Sequence, residues 1–147
     1  MFDKICYPVG KWHEDEFTTY KLLANAQRVV YTNEPLYYYR QREKSITSEF
    51  SIKRLDILEA YDERITYSKG VSEQFYNDTL CMYMDILISY YYKFTHMNEE
   101  ITAKKISDKY DSLYPVAKKN NSISIKTKFR YWLFSSNKKA YKSILRV

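Results

Sequence analysis

Residues 7–47 read YPVGKWHEDEFTTYKLLANAQRVVYTNEPLYYYRQREKSIT. Glu14, Asp15 and Glu16 come first, and Phe17, Tyr20, Leu23 and Ala24 follow at helical spacing. This pattern predicts a helix that begins near His13, with three acids complementing the positive end of its dipole. Arg28–Thr32 is β-branched and aromatic, which predicts a strand. Asn33, Glu34 and Pro35 supply turn chemistry. Leu36–Arg40 alternates Leu36 and Tyr38 against Tyr37 and Tyr39, predicting a second strand. Residues 41–51 are polar and read as a loop. Two short strands are marginal by themselves, so either the helices or further sheet must cover their edges.

Downstream the period changes from two to that of a helix. Leu55, Leu58, Tyr61 and Ile65 line one helical face, and Ser68-Lys69-Gly70 breaks it. Ser72 is placed to cap a long aromatic helix reaching about Phe94. Asn98-Glu99-Glu100 opens another helix, with Ile101, Ile106, Tyr110 and Leu113 inward and Pro115 as its stop. Asn120-Asn121-Ser122 links it to a tail that is helical through Phe129, Trp132, Leu133, Ala140 and Ile144. The predicted fold class is α-rich α+β, a short two-strand element followed by a helical C-terminal region.

The chain has 147 residues, enough for one domain with a core. With 45% apolar and 29% charged residues it reads as a soluble globular protein. Only 2 Gly are present, Gly10 and Gly70, so no glycine-rich phosphate loop can be written. Cys6 and Cys81 are the 2 cysteines, which excludes a disulfide framework and argues against structural zinc. They read as buried free thiols in a reducing cytosol. No secretory signal is visible at the N-terminus. Leu80–Phe94, the most apolar stretch, is interrupted by Asp85, Ser89 and Lys93, and falls short of the ~20 residues that a spanning helix needs. The expectation is a cytoplasmic chain that does not cross a bilayer.

Charge is uneven. Lys126, Lys128, Arg130, Lys138, Lys139, Lys142 and Arg146 put seven cations and no acid between Lys126 and Val147, so the overall +6 leaves −1 for residues 1–125. The body of the chain therefore lacks the basic face that nucleic acid wants. The tail offers two readings. It can lie on an anionic inner leaflet with Phe129, Trp132 and Leu133 dipping in, making the protein peripheral there. It can equally pack as a helix with a solvated basic side. The 17 Tyr have a bland source too, since Tyr, Lys, Asn and Ile all have AT-rich codons.

The chemistry-bearing constellation is the acidic helix start followed by Arg40 and Arg42. A carboxylate at a helix N-terminus is favoured in its ionised form. Such a group can take a proton from a hydroxyl nucleophile. Guanidinium forks match phosphate oxygens. Together they suit hydroxyl activation opposite a phosphorylated leaving group, as in sugar transfer from a nucleotide sugar. His13 and His96 have no metal-ligand spacing, and a capping or surface role for His13 is favoured.

Tyr7-Pro8-Val9-Gly10, Glu14-Asp15-Glu16-Phe17, Leu22-Leu23, Val29-Val30-Tyr31, Pro35-Leu36-Tyr37-Tyr38-Tyr39-Arg40, Arg42 and Ser45-Ile46 stand in this order and spacing. The run resembles the second half of the catalytic domain of family-2 glycosyltransferases of the GT-A fold, of the kind that builds bacterial cell-surface polysaccharides. The resemblance implies that Asp15 is the general base of an inverting displacement and that Glu14 neighbours the acceptor or orients the helix end. It implies that Arg40 and Arg42 lie near the donor diphosphate. Trp12 and His13, beside the acidic pair, complete the candidate substrate-binding set.

The resemblance divides the chain into an acceptor-side end of the catalytic domain at 1–50, a helical extension at 51–121 and a basic aromatic tail at 122–147. It also implies what is missing. The nucleotide-binding half and its Asp-x-Asp are not found here, so the chain looks like a C-terminal fragment. A separate N-terminal half is then an expected partner. A divalent Mg or Mn, the nucleotide-sugar donor and the saccharide or lipid-linked acceptor are expectations for the full-length enzyme. No metal site and no cofactor are expected in this chain. The rival function is a non-catalytic helical interaction module whose basic tail binds RNA or a protein partner.

Overall fold

The computed structural model describes residues 5–38, 40 and 50–145. Its elements are α1 (Glu14–Asn25), a 3-10 turn (Ile52–Leu55), α2 (Asp56–Lys69), α3 (Glu73–His96), α4 (Glu100–Lys119), α5 (Ile125–Ser136) and α6 (Lys138–Leu145). No strand occurs among the described residues. The expected two-strand element is therefore overturned, and with it the α+β class and the likeness to a GT-A α/β fold. Residues 28–38 are irregular, and so is Arg40; Tyr39 lies outside the described residues.

The physical reason is visible in the exposure of this segment. Val30 is 73% exposed, Tyr31 88%, Leu36 75% and Tyr38 94%. Alternation of apolar residues says only that a segment would suit a half-buried pleated surface. Here nothing among the described residues buries either face, and an isolated two-stranded ribbon does not hold together in water. The predicted loop falls mostly on residues 41–49, outside the described residues.

The chain separates into two compact units, one running to Arg64 and the other beginning at Ile65, so the boundary falls inside α2. In the first unit Phe17, Tyr20, Leu22, Ile57, Ala60 and Tyr61 are buried. Ion pairs join α1 and the residues before it to α2. Lys11 reaches Asp56 at 3.2 Å and Glu59 at 2.5 Å, Lys21 pairs with Glu63, and Arg64 meets Glu16 at 2.9 Å. The Glu59 and Asp56 carboxylates hold the Lys11 ammonium above its ordinary value.

In the second unit α3 packs on α4, α4 on α5 and α5 on α6. α3 starts where Ser72 was expected to cap it. The Ser72 hydroxyl accepts from the Phe75 amide at 3.1 Å. Ser72→Ala is expected to lower thermal stability by about 1 kcal/mol, measured by denaturant titration, because one helix-end amide loses its partner. α4 runs past Pro115 rather than stopping there. The proline costs the Asp111 carbonyl its helical donor. Ala117, two residues further on, is fully buried and anchors the end. Of the residues expected inward on α4, Ile106 and Tyr110 are buried, whereas Ile101 is exposed.

The aromatic richness of the chain goes into this second core. Phe134 lies edge-on to Tyr91, Tyr92, Tyr110 and Tyr141, with centroids 5.3, 5.8, 4.6 and 5.4 Å away. Tyrosine serves in a core only when its hydroxyl finds a partner. The Tyr110 hydroxyl donates to the Tyr131 carbonyl at 2.8 Å, Tyr131 to Cys81 at 3.1 Å and Tyr92 to Lys138 at 2.7 Å. Burial pushes the Tyr92, Tyr110, Tyr131 and Tyr141 phenols above their usual range. These groups stay protonated when folded at a pH where the unfolded chain ionises them. Their contribution is complete below pH ~10 and is lost as pH rises above it. An alkaline titration should show stability falling from that point, with tyrosinate absorbance appearing together with loss of helical circular dichroism.

Cys6 and Cys81 are both free, and Cys6 is exposed rather than buried. No helix among the described residues is long and apolar enough to cross a membrane.

Candidate functional site

The acidic run forms the first turn of α1, as its sequence requires. His13 is the N-cap residue, with φ 60° and ψ 39°, and its side chain makes no capping hydrogen bond. Its carbonyl accepts from the Glu16 amide at 3.0 Å. Left-handed backbone is uncommon outside glycine, though His tolerates it better than most residues. The His13 Nε2 is enclosed and has no hydrogen-bond partner among the described residues. The Trp12 amide donates to Asp56 at 2.9 Å, and the Lys53 ammonium lies 5.8 Å from the Trp12 ring. Both residues thus fix the entry into α1.

The three acids differ in their surroundings. Glu14 is exposed. Glu16 is half-buried and held by Arg64, whose side chain is only 17% exposed. Asp15 is exposed and has no ion pair among the described residues. It lines a hollow of about 200 Å³ together with Glu16, Thr19, Tyr20, Leu23 and Arg64. Beneath this hollow Tyr61 is 1% exposed. Burial first, then the Glu16 carboxylate, pushes its phenol up to about 12. The Arg64 guanidinium also lies over the Tyr20 and Tyr61 rings, at 5.3 and 5.5 Å. Arg64 therefore ties Glu16 to the Tyr20 and Tyr61 rings, while Asp15 lines the hollow with an exposed carboxylate that has no ion pair among the described residues.

Of the expected substrate-binding arginines, Arg40 does not line this hollow. Arg40 is exposed, and no ion pair to it occurs among the described residues; Arg42 lies outside them. Arg64 was not singled out from the sequence. Its signal was there: Asp56, Glu59, Glu63 and Arg64 recur on one face of α2, opposite the charges of Lys11, Glu16 and Lys21. No group of three His, Cys, Asp or Glu side chains among the described residues could hold a metal ion. The described residues thus do not fit the Mg or Mn of the implied full-length enzyme.

Over 67 residues the chain is 33% identical to Glycosyltransferase GlyA of Streptococcus pneumoniae serotype 4. Part of the chain is similar to a glycosyltransferase. The matched stretch is 45% of this chain and 10% of that protein, so the chain spans about a tenth of the relative's length. No protein-family profile matches the chain, and no solved structure matches it.

Proposed function

We propose that this chain forms the acceptor side of a glycosyltransferase, with Asp15 as the general base. The enzyme transfers a sugar from a nucleotide sugar to a saccharide or lipid-linked hydroxyl, with inversion. The observation that carries this reading is the division of labour in the first turn of α1. Glu16 is committed to Arg64, and Asp15 alone of the three acids combines an open carboxylate with a place in the hollow. A base must reach the proton that it takes, and geometry comes before any other requirement. Partial identity to a glycosyltransferase supports the same class of reaction.

In the proposed reaction Asp15 accepts the acceptor's hydroxyl proton as the oxygen forms its bond to the anomeric carbon. The bond to the nucleoside diphosphate breaks with its electron pair on the leaving oxygen. Glu14 flanks the acceptor from the exposed side. Arg64 holds Glu16 in position and takes no proton. The deciding experiment is sugar transfer by the enzyme that contains this chain, with and without Asp15→Asn. Loss of transfer with unchanged helix content supports the assignment, and undiminished turnover removes Asp15 from the role.

A further inference from the structure

The strongest unexplained surface lies on α5. Ile125, Phe129 and Trp132 are 87%, 56% and 48% exposed. They stand at i, i+4 and i+7, so they form one row along the helix. The opposite side of α5 is spent on the core, through buried Tyr131 and Phe134. Lys126 and Lys128 fall on either flank of the apolar row, and neither has an ion pair among the described residues. Arg130 differs: it pairs with Asp85. Beyond α5, Lys139 and Lys142 are exposed on α6, and no acid occurs anywhere from Lys126 to Val147.

We propose that α5 lies in the surface of a bilayer containing anionic phospholipid, with Ile125, Phe129 and Trp132 at the acyl boundary and Lys126 and Lys128 reaching the headgroups. Two independent features of this surface select this occupant. Cations along Lys126 to Val147 with no acid among them in sequence call for a polyanion. A row of Ile, Phe and Trp between the cations calls for hydrocarbon in the same place. Interfacial helices combine these two features, and Trp suits the headgroup level because its ring is apolar with one polar edge. RNA satisfies the cations but leaves Ile125 and the edge of the row in water. The Phe129 and Trp132 rings touch one another, with centroids 5.6 Å apart, and form a single wedge. This proposal does not depend on the catalytic reading.

Deleting the tail would be uninformative, because Phe134 belongs to the core. Point variants of exposed residues test the idea in the whole chain. The probes are vesicles of phosphatidylcholine alone, or mixed with phosphatidylglycerol. The chain should sediment with the mixed vesicles at least about tenfold better than with the neutral ones. Lys126→Glu with Lys128→Glu should remove about tenfold or more of that binding, as two headgroup attractions become repulsions. Phe129→Ser with Trp132→Ser should weaken it similarly at unchanged helix content. Brominated phosphatidylcholine in the mixed vesicles should quench tryptophan emission, and Trp132→Phe should abolish that quenching. Equal partitioning of wild type and the Phe129/Trp132 variant would overturn the proposal. So would single-stranded RNA binding that displaces the vesicles and is indifferent to that variant.

Discussion

Asp15→Asn is expected to lower sugar transfer by about 10²–10⁴-fold, the range that a positioned general base supplies. The substitution keeps the size and the polarity of the side chain and removes its ability to take a proton. Asp15 has no ion pair among the described residues, so the variant should melt with the parent. Glu16→Gln is the informative contrast. It breaks the pairing with Arg64, whose guanidinium lies between Tyr20 and Tyr61. Removing the carboxylate from a partly buried ion pair costs the fold the energy of that pair. The two neighbours should thus separate: Asp15→Asn moves initial rates and not the melting temperature, whereas Glu16→Gln moves the melting temperature first. Initial rates with a nucleotide-sugar donor, read beside thermal melts of both variants, check this. Equal rate losses in both would mean that the helix start as a whole, rather than Asp15, governs transfer.

Phe134→Ala is expected to cost about 3–5 kcal/mol, a large share of the stability of an ordinary domain. Phe134 is fully buried, and four tyrosine rings meet it. Truncation leaves a void that those rings cannot close, because three of them, Tyr92, Tyr110 and Tyr141, are themselves fixed in the core. Tyr92 and Tyr110 are also tied to the backbone through their hydroxyls. Trp132→Ala, two positions away on the exposed side, should change stability by no more than about 0.5 kcal/mol. Chemical denaturation of the two variants measures the difference. Similar midpoints for both would mean that α5 is not part of the core.

The helices were legible in the sequence wherever periodicity and an end signal agreed. Ser72 marked the start of α3, and the acids at 14–16 marked the start of α1. The predicted strands were not borne out, because Val29, Tyr31, Leu36 and Tyr38 carry strand propensity without the neighbouring surface that would make it count. Pro115 misled for a related reason: local cost was outweighed by a buried Ala117 two residues later. The acidic run could be placed at a helix start, yet the sequence could not say which acid is engaged and which is open. That depends on Arg64, forty-eight positions from Glu16 and on another helix.

The irregular run from Val29 to Tyr38 has a further consequence for handling the protein. Exposed aliphatic side chains such as Val29, Val30 and Leu36, on backbone outside any helix, are a template for self-association between copies. Arg28, Glu34 and Pro35 punctuate the run as gatekeepers, and Pro35 denies an incoming chain one amide. Replacing Glu34 or Pro35 by an apolar residue is therefore expected to lower solubility at high concentration, read by light scattering.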